Sequence, residues 1–504
     1  MSTDHPVVRS LRTGVVALAA LFLLAFLYVA ARRMGYPYEL EWLEGGSLDS
    51  IRRIGAGHSL YAQPTLDFIA YPYTPLYYEV AALITRVTGD TGFLVMRALS
   101  TASTLAALWF IALIVRRETA RWDTGWLAAG LMLATYNVTQ SWFDIARVDS
   151  LFLALFLGGL HALQVVSARR LVVGGLCLAA AFLTKQTALL AAAPLLAWCV
   201  YRDRWKAAYA LVPFVTVLAM STLYYEWRSG GWYWYYVVEL QRHPGFFMKR
   251  RLVYFWTRDL LSPFLVVFPI AVLCALDSLR RGRRDALTVT IGAGAMVGAA
   301  FLSRLRTGNA VNTLMPAYAG LAILAGCAVG RVALFAQSLR EPRRHLLTGT
   351  VWGLCLAQFA MLAYNPARWI PTPADRAAGD RVVQSLSVMD GDIFVPCSSY
   401  LAEMAGKTAH AHLQEIIDIT LVDDEWAARV RQSARDALQS QRFSAIIPCR
   451  LHPEFLEAAG LARTYVATGS LFEPADRAFL TPVAVPLRPE VIYRPRPVAG
   501  ASAP

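Results

Sequence analysis

The run Val15-Val-Ala-Leu-Ala-Ala-Leu-Phe-Leu-Leu-Ala-Phe-Leu-Tyr-Val-Ala-Ala31 is closed by Arg32-Arg33 and followed by Tyr38-Glu39-Leu-Glu41-Trp-Leu-Glu44-Gly-Gly46; its reading decides the fold. About 20 apolar residues at 1.5 Å rise cross a hydrocarbon core, and this run nearly does so. Two arginines follow it instead of a small-residue cleavage site, and further apolar runs come after it. It therefore reads as a retained first membrane helix, not a signal peptide. Apolar runs recur at 93–115, 124–140, 150–166, 171–201 as a tight hairpin, 207–225, 260–276, 286–302, 314–329 and 346–364, giving about eleven crossings. Composition agrees: of 504 residues 56% are hydrophobic and only 16% charged, with mean hydropathy +0.42, which excludes a purely soluble enzyme and a disordered chain.

The net charge of +13 finds its place in the loops. Arg116, Arg117 and Arg121, then Arg169 and Arg170, then Arg202, Arg204 and Lys206, then Arg280, Arg281, Arg283 and Arg284, then Arg340, Arg343 and Arg344 all fall on one side of this topology. Positive loops face the cytoplasm, so that side and the N-terminus are cytoplasmic, and the charge does not point to nucleic acid. The outer face receives segments 35–91, 227–259 and 303–313, and everything after Tyr364. The expected architecture is a polytopic α-helical membrane module over 1–364 and an extracytoplasmic α/β domain over 365–504, in a cytoplasmic membrane of bacterial type. Asn365-Pro-Ala-Arg-Trp-Ile-Pro-Thr-Pro marks the boundary. Beyond it, strand-like runs (Asp392-Ile-Phe-Val, Ser444-Ala-Ile-Ile) alternate with a helical pattern at 425–439. Cys397 and Cys449 each follow such a run and a proline, and an oxidising compartment would let them pair. The other five cysteines fall in the apolar runs, and no spacing suggests a metal site.

Chemistry concentrates on the outer face. Glu39, Glu41 and Glu44 leave the first helix beside the apolar layer, where lost hydration raises carboxyl pKa values and favours proton acceptance near neutral pH. A second acidic cluster, Asp144-Ile-Ala-Arg147-Val-Asp149, returns to that face, its members spaced to support one another across a helical turn. Lys185, Lys249, Arg250, Arg251, Arg304 and Arg306 stand there against the orientation rule, and an anionic ligand or anionic lipid headgroups would account for them. Tyr71, Tyr73, Tyr77, Tyr78, Trp227 and the run Trp232-Tyr-Trp-Tyr-Tyr236 read as interfacial helices or as a plain aromatic belt.

Glu41-Trp-Leu-Glu44-Gly leads into Asp49-Ser-Ile-Arg52-Arg53 and then Tyr71-Pro-Tyr73-Thr-Pro75. Together with Asp144-Ile-Ala-Arg147-Val-Asp149, Phe182-Leu-Thr-Lys185-Gln186 and Gly308-Asn-Ala-Val-Asn312, these stretches resemble the GT-C superfamily. Its members are polytopic glycosyltransferases related to protein O-mannosyltransferases and the bacterial lipid A aminoarabinose transferase. The resemblance implies transfer of a sugar, with inversion, from a polyprenyl-phosphate carrier to an acceptor hydroxyl on a lipid, polysaccharide or protein, with a first-loop carboxylate as base. Many members carry an adjacent acidic pair in that loop, whereas this chain spreads three glutamates. Counting back from Arg52-Arg53 favours Glu44 or Glu41 over Glu39. On this resemblance Glu44 or Glu41 is the base, and Asp144 orients it or the acceptor. Lys185, Arg304, Arg306 and Arg147 bind the donor phosphate, and Asp149, Asn312 and Tyr73 support them. The one cofactor considered is a divalent metal ion. Two other readings fit the composition: a transporter or flippase of an anionic lipid or solute, and a non-catalytic envelope assembly protein.

Overall fold

The computed structural model describes residues 5–242, 248–306, 310–422, 424–451, 454–473, 476 and 478–497. The chain opens with helices α1 (Pro6–Met34), α2 (Glu44–Gly55), α3 (Leu76–Thr88), α4 (Leu94–Thr119), α5 (Trp122–Ala134), α6 (Asp149–Leu163), α7 (Ala168–Thr184), α8 (Ala188–Asp203) and α9 (Ala208–Ser229). Packing gathers it into two units, neither continuous in sequence. One comprises Met1–Arg32, Arg97–Ser221 and Pro244–Trp369; the other comprises Arg33–Met96, Thr222–His243 and Ile370–Pro504.

The first unit is built of apolar helices. Among the described residues, Pro6–Met34, Leu94–Thr119, Ala188–Ser229, Arg284–Arg304 and Val311–Ala336 are long and apolar enough to cross a membrane, and Arg343–Met361 joins them if counted with the helix after it. Other runs read as crossings fold shorter: α5, α6 and α7 have 13, 15 and 17 residues. Thirteen residues span about 20 Å, less than a hydrocarbon core of about 30 Å. The helix α5 ends at Ala134, and the chain runs on in turns from Thr135 to the left-handed φ values of 52° and 58° at Gln140 and Ser141. Helix Met315–Ala336 forms the centre of this unit and is buried over most of its length. Where lipid offers no hydrophobic drive between helices, small residues permit close packing. At Gly326 an added Cβ would stand 2.8 Å from the Thr124 carbonyl, and at Gly175 it would strike the carbonyl of Ala210.

The second unit contains the sheet. Strands β1 (Ile393–Phe394), β2 (Ala445–Ile446), β3 (Tyr465–Ser470) and β4 (Val491–Pro495) lie in the order β1-β2-β4-β3. The β1–β2 pair is parallel and the other two pairs are antiparallel. A parallel pair needs a crossover, and Leu413–Thr420 and Glu425–Gln439 supply its helices. Both strand-like runs and the helix at 425–439 are where the sequence pattern puts them. Cys397 and Cys449, each three residues beyond its strand, form a disulfide with Cα atoms 6.1 Å apart.

The aromatics at 71–78 and 227–236 belong to this unit, and most of the tyrosines among them are covered by protein. Tyr71, Tyr77, Tyr78, Tyr233 and Tyr236 are buried. The Tyr236 hydroxyl donates to the Ala62 carbonyl at 3.1 Å, and the Tyr235 hydroxyl to Asp424 at 2.9 Å. Trp232 meets Trp426 edge-on with ring centroids 4.7 Å apart. These rings take their partners from the first loop and the C-terminal segment, while Trp227 and Trp234 are exposed as an aromatic belt would leave them.

Candidate active site

The sequence-derived residues divide between the units: Glu39, Glu41, Glu44 and Tyr73 in the second, and Asp144, Arg147, Asp149, Lys185, Arg304, Arg306 and Asn312 in the first.

In the second unit, Glu44 is the first residue of α2, where the partial positive charge of a helix start suits a carboxylate. It is fully buried, and its Oε2 accepts the Leu40 N–H at 2.7 Å. Glu41 is buried too, with Oε2 accepting the Leu43 N–H at 3.1 Å. Glu39 holds two groups: Oε1 accepts the Gly45 N–H and Oε2 the Ser398 hydroxyl, both at 2.9 Å. Burial, reinforced by Glu44 and Glu41, pushes the Glu39 carboxyl well above the usual range, against the pull of the Ser398 hydrogen bond. The two glycines after Glu44 are required by space. A Cβ at Gly45 would strike Glu39 Oε1, and one at Gly46 would strike the Tyr71 hydroxyl. Tyr73 is half-buried, and its carbonyl accepts the Tyr61 hydroxyl at 2.7 Å.

One turn further along α2, Asp49 accepts the Ser399 hydroxyl on Oδ2, while Oδ1 is closed off from water without a hydrogen-bond donor among the described residues. Burial pushes this carboxyl up to about 7; Ser399 and Arg52 oppose the shift and Glu403 adds to it.

In the first unit, Asp149 opens α6 and gathers three donors. Lys185 Nζ reaches Oδ1 at 2.6 Å, Asn312 Nδ2 reaches the same oxygen at 3.0 Å, and Trp142 Nε1 reaches Oδ2 at 2.8 Å. Asp144 ends the short 3-10 turn Trp142–Asp144 and accepts the Tyr136 hydroxyl at 2.8 Å. The backbone is not helical between Asp144 and Asp149, the Arg147 charge still acts on Asp149, and further partners come from other elements. Arg147 is buried, and its carbonyl accepts the Ser100 hydroxyl at 3.3 Å. Arg304 pairs with Asp259 at 2.9 Å, while Arg306 is exposed. Arg251 donates to the carbonyls of Arg304 and Arg306 at 2.8 and 2.5 Å. The Gly308 and Asn309 part of the last motif lies outside the described residues.

No protein-family model and no curated protein matches the sequence. Solved structures do match it. The lipid A aminoarabinose transferase ArnT from Cupriavidus metallidurans, bound to undecaprenyl phosphate, superposes with a TM-score of 0.60 at 14% identity, over 96% of this chain and 99% of that one. The oligosaccharyltransferase AglB from Archaeoglobus fulgidus, in complex with an inhibitory peptide and a dolichol-phosphate, gives 0.53 at 11% identity, over 89% of this chain and 72% of that one. The chain has the GT-C fold. Trp142, Asp259, Ser398, Ser399 and Tyr400 contact the acidic and basic residues described above, and no sequence motif singles them out. Ser398 to Tyr400 directly follow the Val-Pro-Cys run, which was the only signal for them. Among the described residues no three His, Cys, Asp or Glu side chains converge in a metal-binding arrangement.

Proposed function

We propose that this chain is an integral membrane glycosyltransferase that moves a sugar from a polyprenyl-phosphate carrier to an acceptor hydroxyl on the outer face, with inversion. The observation that carries the reading is the GT-C fold, shared over nearly the full chain with a transferase bound to undecaprenyl phosphate. The buried acidic first loop supports it. Glu44 takes the proton of the acceptor hydroxyl as that oxygen bonds to the anomeric carbon, and Glu41 is the alternative base. The bond from that carbon to the phosphate oxygen breaks, and the electron pair leaves on the polyprenyl phosphate. Such a leaving group is already a weak base, so it calls for cations and no general acid. Lys185, Arg304, Arg306 and Arg147 fill that role. Because Lys185 and Arg304 already hold Asp149 and Asp259, the donor phosphate competes with those carboxylates. Asp144 orients the base or acceptor, and Asn312 and Tyr73 support the site.

The same reading places the module at 1–364 in a cytoplasmic membrane with about eleven crossings, some through helices shorter than the core, and puts residues 365–504 outside the cytoplasm. The Cys397–Cys449 disulfide supports the external placement, since such bonds persist in oxidising compartments. The acceptor class is a lipid, polysaccharide or protein hydroxyl. Incubating membranes with a panel of radiolabelled polyprenyl-phosphate sugars tests the proposal. Label should pass from one of them to an acceptor and stop passing in the Glu41→Gln/Glu44→Gln double variant. Full transfer by a folded double variant would remove the base assignment.

A further inference from the structure

Glu39 lies five residues before Glu44, yet two of its three hydrogen-bond partners, Ser398 and Tyr400, come from more than 350 residues away. The turn that supplies them is fixed from several sides. Cys397 is bonded to Cys449, and the Ser398 N–H donates to the Val395 carbonyl at 3.2 Å. His412 Nε2 sits 2.9 Å from the Trp42 carbonyl and 3.2 Å from the Cys397 carbonyl, so one imidazole ties the first loop to this turn. From it, Ser398 donates to Glu39 Oε2, Ser399 donates to Asp49, and the Tyr400 hydroxyl accepts the Glu39 N–H at 3.1 Å. The Tyr400 ring is fully buried, meets Phe93 edge-on at 5.2 Å, and lies where a Cβ on Gly45 would have to go. With its other oxygen Glu39 holds the Gly45 N–H, the first peptide after Glu44.

We infer that the disulfide-anchored turn 397–400 is a positioning element for the first-loop base, with Ser398 acting through Glu39 to hold the start of α2. Ser398, Tyr400 and Glu39 are positioning residues; none of them reacts. The inference deepens the proposed function and rests on its assignment of Glu44 or Glu41 as base. It makes the C-terminal segment part of the catalytic apparatus although it supplies no reacting group. It also explains why the glutamate that the GT-C resemblance disfavours as base is nonetheless buried and fully engaged.

The test uses the full-length purified protein and reads position separately from activity. Water-soluble carbodiimide with a glycine amide nucleophile labels accessible carboxyls, and peptide mass spectrometry reports the labelling rate at Glu44. Ser398→Ala should raise that rate by about tenfold, the equilibrium worth of one buried hydrogen bond, and Ser398→Thr should return it to the wild-type value. Reducing the disulfide in the folded wild-type protein should raise it as well, which keeps the inference testable if Ser398→Ala does not fold. With a labelled polyprenyl-phosphate sugar as donor, Ser398→Ala should lower kcat by about tenfold and shift its pH midpoint, with donor KM unchanged. Wild-type labelling rates in Ser398→Ala and after reduction would overturn the inference. Transfer that survives in Glu41→Gln/Glu44→Gln would instead overturn the base assignment, whatever the labelling shows.

Discussion

The Lys185–Asp149 pair offers the sharpest energetic test of the first unit. Both side chains are more than nine-tenths buried, and Nζ lies 2.6 Å from Oδ1. Lys185→Met removes the ammonium and keeps the volume, leaving Asp149 with the neutral donors Asn312 and Trp142 and the more distant charge of buried Arg147. Removing one partner of a buried pair strands the other charge, at about 3–5 kcal/mol. Asn312→Ala takes away only a neutral donor to the same oxygen and should cost about 1.5–3 kcal/mol. In Lys185→Met/Asp149→Asn neither member of the pair is left to strand the other, the amide oxygen can still accept one of the two donors, and the charge of buried Arg147 remains as it is in the wild type. The double variant should therefore recover most of the loss, with a coupling energy of about 2–4 kcal/mol. Melting temperatures in one detergent should fall in the order wild type, double variant, Lys185→Met. A Lys185→Met protein that melts with wild type, or a double variant no more stable than the single, would show that the pair does not carry the energy its geometry implies.

Three further outcomes follow from particular contacts. Because burial raises the Asp49 carboxyl from 3.8 to about 7, the folded chain holds that proton more tightly than the unfolded one. The stabilisation is complete below the unfolded value and drains away as pH rises through about 7. Wild-type melting temperature should thus fall from pH 5 to pH 8 more than that of Asp49→Asn, and parallel curves would contradict the shift. Gly45→Ala forces a Cβ against Glu39 and to 2.7 Å from the Tyr400 ring, which should cost about 1–3 kcal/mol by thermal melting. Gly55→Ala on the same helix meets nothing within 4 Å and should be neutral or slightly stabilising. Asp259→Asn frees Arg304 from its ion pair, so donor KM in the transfer assay should fall by roughly threefold to tenfold, the equivalent of about 1 kcal/mol; an unchanged KM would remove Arg304 from the phosphate site.

What the sequence shows and what it hides divide along physical lines. Apolar runs of sufficient length announce α1, α4 and the central helix because burial in lipid leaves a compositional mark. A run gives little sign of where its helix ends: α5 stops at Ala134, inside the run taken as 124–140, and the polar residues Thr135, Asn137 and Thr139 that follow lie in turns. The strands Ile393–Phe394 and Ala445–Ile446 were legible despite being two residues long, because each apolar run ends in Pro-Cys and the disulfide then joins those ends. Pairings such as Glu39 with Ser398 or Asp49 with Ser399 leave no local period, since their partners lie 359 and 350 positions away. The same difficulty changes the argument from charge. Lys185 and Arg304 had stood out as positive charges against the orientation rule, and the fold supplies each with a carboxylate the sequence could not match to it. The surplus that calls for an anionic ligand then rests more heavily on the exposed Lys249 and Arg250. On the proposed function a donor phosphate either settles on those exposed cations or displaces Asp149 and Asp259, and the Asp259→Asn measurement separates the two, because only displacement makes the carboxylate a competitor.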